Sequence, residues 1–279
     1  TSCDDETLQK KSCEFIKLYR ASELEHGYNI LSNALKSENS SLSWQIGVDG
    51  CKAGWFYVAS KGSDVKYGIV ASIAALLDVF DEIAEIVIDI PIGLYDSGAQ
   101  ARACDTLARS LLKPRGSTVF PAPVRPCLYA KSYSEACDIS QRLTGKRLSQ
   151  QAFNIFGKIR EVDELLQQRP ELKHKVHEAH PELGFCMLNS GKPLLSQKKD
   201  EIGIEERLQL LDGYLDSVRE IYNDALNQHL RKVLAKDDIV DAMMCLCIAQ
   251  SPAHNRKTVP NALVSDTHLI EMAMHYREP

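Results

Sequence analysis

Four aspartates occupy positions where carboxylates can bind a divalent cation. Asp49 follows a short apolar segment and precedes a glycine-containing turn, and Asp89 interrupts a second apolar run just before a proline. Asp238 and Asp241 lie three residues apart at the start of an apolar segment, and this spacing puts both on one face of a helix. Carboxylate oxygens are the ligands that Mg²⁺ and Mn²⁺ prefer. We therefore take all four as candidate metal ligands.

Each of these aspartates also has a structural interpretation. Asp49 could simply begin a hairpin turn, and Asp89 could cap the turn that follows its strand. Asp238 and Asp241 could be ordinary acids in the first turn of a helix, where they interact favourably with the helix dipole. Like charges at a helical spacing of three repel, however, unless a cation lies between them. Together with Asp237, these two residues make three acids at the start of a strongly apolar helix, and this number of acids favours metal binding.

The segment 174–181 contains one more acid, Glu178, and three histidines, and Glu182 follows it directly. The alternation within the segment predicts a strand. Glu178 and Glu182 are either further candidate acids or solvated side chains. Histidines recur there at every third position, which would point them to different faces of a strand. We therefore expect no zinc site in this segment.

The hydrophobic pattern predicts the elements that must position these acids. An antiparallel meander of three strands is followed by a helix, a central strand, a long helical region, a further strand and two helical regions. Asp49 is expected at the end of the first strand. In chain order the elements are predicted at 45–49, 55–60, 65–70, 72–83, 85–90, 94–170, 174–181, 204–234 and 236–250.

Two terminal segments flank this central part, which spans 44–250. The first, 1–43, has an amphipathic helical pattern and ends in a polar, serine-rich stretch, so it predicts a helical arm. The second, 251–279, is less informative, and we predict that 261–276 forms a closing helix. The arm is a candidate surface for a homodimer.

Composition indicates an ordinary globular protein. The chain has 279 residues, of which 44% are hydrophobic and 25% charged, enough for one large domain or two modest ones. No apolar run approaches the roughly 18–20 residues that a membrane span needs. The nine cysteines are odd in number and include no C-x-x-C motif, so reduced, mostly buried thiols are expected. Since no signal-peptide pattern is present, we expect a cytoplasmic protein that does not bind membranes.

The charge is unevenly distributed. The whole chain carries a net charge of −5, but the segment 102–160 contains eleven basic and only three acidic residues. A basic region beside acidic metal ligands is typical of a protein that holds a polyanion, although solvated helix faces could give the same count. The candidate nucleic-acid contacts are Arg115, Arg125, Lys158, Lys198 and Lys199.

The order of predicted elements and acids resembles the ribonuclease H-like superfamily. Asp49 on the first strand, Asp89 on the fourth and the D-x-x-D pair of Asp238 and Asp241 carry the resemblance, and the pair is similar to that of RuvC-type Holliday-junction resolvases. More closely, the chain resembles the predicted RNase H-like nucleases, domain of unknown function 429. The matching stretches are GVDGCKAGW, IDIPIGL, RACDTLAR, STVFPAPVR, KIREVDELL, EAHPELGF and DDIVDA.

This resemblance implies an α/β fold, with a mixed five-stranded sheet flanked by helices and a basic helical insert at about 94–170. It also implies hydrolysis of phosphodiester bonds assisted by two Mg²⁺ or Mn²⁺ ions. Asp49 would bridge the ions, Asp89 and Asp241 would each hold one, and Asp238 would assist. Glu178 is the reserve ligand, because its strand is expected beside the first. The insert would contact the backbone of DNA or RNA.

Two other functions fit parts of the pattern. A non-catalytic binding or scaffold protein could retain this fold without activity. An actin-like phosphotransferase would share the core and the Asp-Gly turn. Such proteins normally duplicate the domain, and the sequence shows no second set of hairpins with another Asp-Gly turn.

Overall fold

A mixed seven-stranded sheet runs through the part of the chain that this computed structural model describes, Ser43–Pro279. Its strand order is β3-β2-β1-β4-β5-β7-β6. The strands are β1 (Trp44–Cys51), β2 (Gly54–Lys61), β3 (Asp64–Val70), β4 (Ile83–Ile88), β5 (Val176–Ala179), β6 (Arg256–Val259) and β7 (Met274–Arg277).

The centre of the sheet is parallel and both of its edges are antiparallel. β1, β4, β5 and β7 run parallel to one another, while β2, β3 and β6 pair with antiparallel neighbours. Ile46 and Val48 of β1 are fully buried, as are Ile86 and Ile88 of β4. Strands buried on both faces are rich in branched apolar residues, which explains why these two segments read as continuous apolar runs.

Nine α-helices lie among the described residues and cover both faces of the sheet. The helices are α1 (Ile73–Val79), α2 (Ala103–Leu111), α3 (Tyr133–Thr144), α4 (Gln150–Asn154), α5 (Phe156–Gln168), α6 (Pro181–Leu188), α7 (Glu201–Leu211), α8 (Val218–Gln228) and α9 (Lys236–Ala249). On one face of the sheet, α1 and the insert helix α5 pack against β1 and β4. On the other face, the apolar α9 lies against β1, β2 and β4, and is itself covered by α7 and α8.

The C-terminal segment differs from the prediction. A closing helix was expected at 261–276, and five strands were expected in the sheet, but this segment supplies β6 and β7. β7 pairs with β5, and its Met274 and Tyr276 are buried. A short parallel strand such as β5 would otherwise leave its backbone N–H and C=O groups unpaired at an open edge. Here β7 pairs with that edge as an extended segment, and no local pattern in the sequence reports this distant pairing.

Three further predictions concern the remainder of the chain. The helical arm and its dimer interface lie outside the described residues, apart from Ser43. The seven cysteines in the described residues are all free and buried, as expected from their spacing. Within the same residues, the structure contains no helix long and apolar enough to cross a membrane.

Candidate metal centre

Parallel pairing of β1 and β4 places two of the predicted acids side by side. Val48 pairs with Ile88, and the N–H of Asp89 donates to the carbonyl of Val48 at 3.0 Å. Adjacent strands lie about 4.8 Å apart, so Asp49 and Asp89 are direct neighbours across the sheet. The prediction that the first strand stops at Asp49 is wrong, because hairpin pairing with β2 carries β1 on to Cys51.

A glycine in β1 lets α9 bring the third acid to this point. A Cβ atom on Gly47 would lie 2.1 Å from the backbone nitrogen of Leu246 and 2.2 Å from the carbonyl oxygen of Ala242. Only a residue without a side chain permits so close an approach of helix and strand. The approach buries Asp241, near the start of α9, to 1% exposure.

The carboxylates of Asp49, Asp89 and Asp241 converge, with one oxygen from each lying within 4.8 Å of the others. One oxygen of Asp49 accepts a hydrogen bond from the N–H of Gly50 at 2.6 Å. Oδ2 of Asp241 accepts from Lys198 Nζ at 2.5 Å, whereas its Oδ1 is buried without a hydrogen-bond partner among the described residues. A buried oxygen without a partner is costly, and a metal ion would supply the missing interaction.

Burial and mutual repulsion perturb the three acids. Burial, then Asp89 and Asp241, raise the pKa of Asp49 well above its usual value. Burial also raises the pKa of Asp89 and of Asp241 to about 6, despite the opposing effect of Lys198. At neutral pH the site therefore carries negative charge, and this charge has an unfavourable electrostatic free energy. An all-oxygen donor set of this kind fits Mg²⁺ or Mn²⁺.

Asp238 has a different role from the other three. Its carboxylate accepts a hydrogen bond from the backbone N–H of Ala235 at 2.9 Å, which caps the first turn of α9. Asp238 is not among the three acids whose oxygens converge, although its charge contributes to the raised pKa of Asp49. The capping interpretation thus applies to Asp238, which lies at the edge of the cluster.

Glu178, the reserve ligand, lines the same cavity as the three aspartates but is not among the acids whose oxygens converge. β5 lies beside β4 rather than beside β1, so the expected neighbour relation is wrong. Both oxygens of Glu178 accept hydrogen bonds from Arg102, at 2.7 and 2.9 Å, and one also accepts from the N–H of Ile92 at 2.6 Å. Arg102 also pairs with Asp105. Its guanidinium group therefore supplies positive charge beside both Glu178 and Asp105.

Two of the predicted nucleic-acid contacts have internal partners. Arg125 is only 6% exposed and forms ion pairs with Asp163 and Asp266, so its prediction as a contact is wrong. Arg115 is half-buried and donates to the carbonyls of Leu194 and Ser196. Both side chains hold loops in place through these contacts. The acids that pair with Arg125 lie too far from it along the chain for the pairing to be recognised in the sequence.

The three lysines lie at the cavity that contains the aspartates. Lys199 is exposed. Lys158 donates to the carbonyl of Gly54 and lies over the ring of Trp55, 4.1 Å from its centroid. Lys198 pairs with Asp241, and the aspartates raise its pKa above the usual value despite burial. Lys198 therefore balances the negative charge of the aspartates. The polar, basic segment around it in the sequence did not indicate this role.

Two further groups lie at this site. Glu182, which the sequence left as either a candidate acid or a solvated side chain, is buried and receives two hydrogen bonds of 2.7 Å from the fully buried Arg207. His180 lines the same cavity, and its Nδ1 is buried without a hydrogen-bond partner in the described part of the chain. A cavity position could not be inferred from the sequence, because the residues that complete the cavity are distant along the chain.

Replacing Lys198 with methionine tests the charge balance. We expect Lys198→Met to lower the free energy of unfolding of the metal-free protein by about 1–2 kcal/mol, less than for a fully buried pair, since the lysine side chain is 35% exposed. Mn²⁺ should restore more stability to this variant than to the unmodified protein. Thermal denaturation with and without Mn²⁺ measures both effects. Lys199→Met is the matched control, and equal melting temperatures for the two metal-free variants would contradict the assignment.

Comparison with known proteins identifies the family alone. No curated protein and no solved structure matches the chain. One family model, described as "Protein of unknown function (DUF429)", matches residues 47–263, a range that includes all three converging aspartates. Because this match covers most of its length, the chain belongs to the DUF429 family.

Proposed function

We propose that the chain is a metal-dependent nuclease that hydrolyses phosphodiester bonds. The observation that carries the proposal is the convergence of Asp49, Asp89 and Asp241, together with a buried oxygen of Asp241 that has no hydrogen-bond partner among residues 43–279. Carboxylates that were only structural would be expected to have hydrogen-bond donors or cations as partners. The all-carboxylate donor set favours Mg²⁺ or Mn²⁺.

The strand order supports a ribonuclease H-like core for this proposal. The first five strands follow the order β3-β2-β1-β4-β5, with β2 antiparallel to its neighbours. In this proposed core, β1 and β4 carry one acid each, and α9 carries the third on its first turns. β6 and β7 then extend the core at one edge. Since the last acid lies on a helix in a D-x-x-D pair, we place the core in the RuvC-like branch.

We propose Asp49 as the ligand shared by two ions; one of its oxygens lies within 4.8 Å of an oxygen of Asp89 and of an oxygen of Asp241. Asp89 and Asp241 would each hold one ion, with Asp238 assisting from the edge. When bound, the ions supply Lewis-acid stabilisation of the phosphate and activation of water. In the proposed hydrolysis, a water oxygen would form a bond to phosphorus and lose a proton to solvent, while the P–O bond to the leaving sugar oxygen breaks and that oxygen takes up a proton.

Lysines would position the substrate. Lys158 and Lys199 line the cavity near the aspartates and carry the positive charge that a phosphate group requires. DNA or RNA is thus the proposed partner. We also propose a cytoplasmic location, because buried free thiols are typical of proteins in a reducing compartment.

A metal titration followed by a cleavage screen tests the nuclease function. Mn²⁺ should bind by calorimetry and raise the melting temperature, and the loaded protein should cleave at least one substrate among single-stranded, duplex, hybrid and four-way-junction nucleic acids. Asp49→Asn should reduce the rate by about a hundredfold or more, since it removes the shared ligand. Asp64→Asn, an exposed acid on β3, is the matched control.

The possible results separate the nuclease from a scaffold protein. Mn²⁺ binding together with cleavage that depends on Asp49 supports the nuclease. Nucleic-acid binding without Mn²⁺ binding, and without cleavage of any substrate, would instead indicate a non-catalytic protein that has kept the fold.

A further inference from the structure

The aspartates lie inside a recess and not on an open surface. A cavity of about 470 Å³ contains Asp49, Asp89 and Asp241 in its lining. Asp49 is only 8% exposed, and Asp241 only 1%. Pockets that enclose a single small ligand measure roughly 300–1,000 Å³. The volume therefore fits one ligand of nucleotide size.

The lining of the recess combines apolar and cationic groups. Phe120 and Ile155 contribute apolar side chains, and Phe120 is 38% exposed although it is a large aromatic residue. Lys158 and Lys199 supply positive charge to the same cavity. Aromatic rings bind unpaired bases by stacking, worth about 1–3 kcal/mol per base, and lysines bind phosphates. These are the groups needed to recognise a nucleotide.

Part of the insert's positive charge has partners within the protein. Arg102 and Arg125 are buried in ion pairs, and Arg109 donates to the carbonyl of Val119 at 2.6 Å. Lys158 and Lys199, in contrast, line the same cavity as the aspartates. A phosphate that reaches the aspartates would therefore meet these lysines inside the recess.

We propose that the recess accepts a single unpaired nucleotide, such as the end of a single strand, and excludes the interior of a duplex. The base would lie against Phe120, and the phosphate would face the three aspartates and the lysines. This inference rests on the proposed function, since the bound phosphate would be the one that is cut. It narrows the substrate class from nucleic acid in general to single-stranded ends and short oligonucleotides.

Binding of nucleoside 5′-monophosphates tests the inference without cleavage, because they contain no phosphodiester bond. With Mn²⁺ present, they should bind more tightly than inorganic phosphate. Phe120→Ala should weaken their binding about tenfold, leaving the affinities for Mn²⁺ and inorganic phosphate unchanged. Tyr129→Ala removes an exposed aromatic side chain of the same insert that does not line the recess, so it should change none of these affinities.

Cleavage provides a second measurement. A short single strand with free ends should be cut, and a covalently closed, relaxed circular duplex should be neither cut nor an effective competitor. Absence of Mn²⁺ binding would overturn the proposed function and this inference together. Mn²⁺ binding with cleavage of the closed duplex, or with equal affinity for nucleotides and inorganic phosphate, would overturn the inference alone.

Discussion

Gly47→Ala should lower the free energy of unfolding by about 3 kcal/mol or more. The added methyl group would lie 2.1 Å from the backbone nitrogen of Leu246 and 2.2 Å from the carbonyl oxygen of Ala242. These are backbone atoms in the middle of α9, so no side-chain rotation relieves the overlap. The helix must move away from β1 and carry Asp241 with it. Urea denaturation measures the loss of stability, and calorimetry on the folded fraction should show weaker Mn²⁺ binding.

Gly157→Ala is the matched control for this prediction. Gly157 lies in α5, where an added methyl group meets no other atom within 4 Å. Alanine is the better helix former, so this variant should be unchanged or more stable by up to about 1 kcal/mol. Equal stabilities for the two variants would show that α9 does not depend on the missing side chain of Gly47. The account of how the third acid reaches the site would then be wrong.

Asp89→Asn should stabilise the metal-free protein at pH 7.5 and remove most of its response to Mn²⁺. Burial raises the pKa of Asp89 from 3.8 to about 6, so its charge opposes folding at neutral pH. Asparagine has nearly the same shape without the charge, and we expect a gain of about 1–3 kcal/mol in the free energy of unfolding. Thermal denaturation with and without Mn²⁺ measures both effects. Without Mn²⁺, the variant should melt at a higher temperature than the unmodified protein. Added Mn²⁺ should then raise the melting temperature of the variant much less than that of the unmodified protein.

The pH dependence of this difference gives a further check. The folded carboxyl group holds its proton more tightly than the unfolded one, so the penalty is absent below pH 3.8. It develops between pH 3.8 and about 6, and is complete above that. The advantage of Asp89→Asn should accordingly be largest above pH 6 and disappear near pH 4. The unmodified protein and the variant contain the same histidines, so the difference in stability between them does not include the histidines' contribution to the pH dependence. An advantage that persisted at pH 4 would mean that packing, and not charge, is responsible; Asp64→Asn should show no advantage at any pH.

The sequence alone determined much of the fold. The glycine-containing turn between two apolar segments predicted the β1–β2 hairpin, and the continuous apolar run before Asp89 predicted a central strand. The entirely apolar segment 242–249 predicted a buried helix. These predictions succeed because local periodicity reports directly on which faces are buried. The C-terminal strands were missed, because the edge of β5 that they cover is distant along the chain.

Within the candidate site, the sequence determined which acids to consider, and the tertiary structure decided which of them meet. Asp49, Asp89 and Asp241 could be selected because each interrupts or begins an apolar segment, where an unpaired carboxylate is costly. Only the folded chain shows that Glu178 is neutralised by Arg102, that Arg125 is buried among acids, and that Lys198 lies within the cluster. A charged residue's role depends on the opposite charges beside it, and here these partners lie 29 to 141 residues away in the sequence. Composition and spacing carry no record of those distances, which is why the acids were predictable and their partners were not.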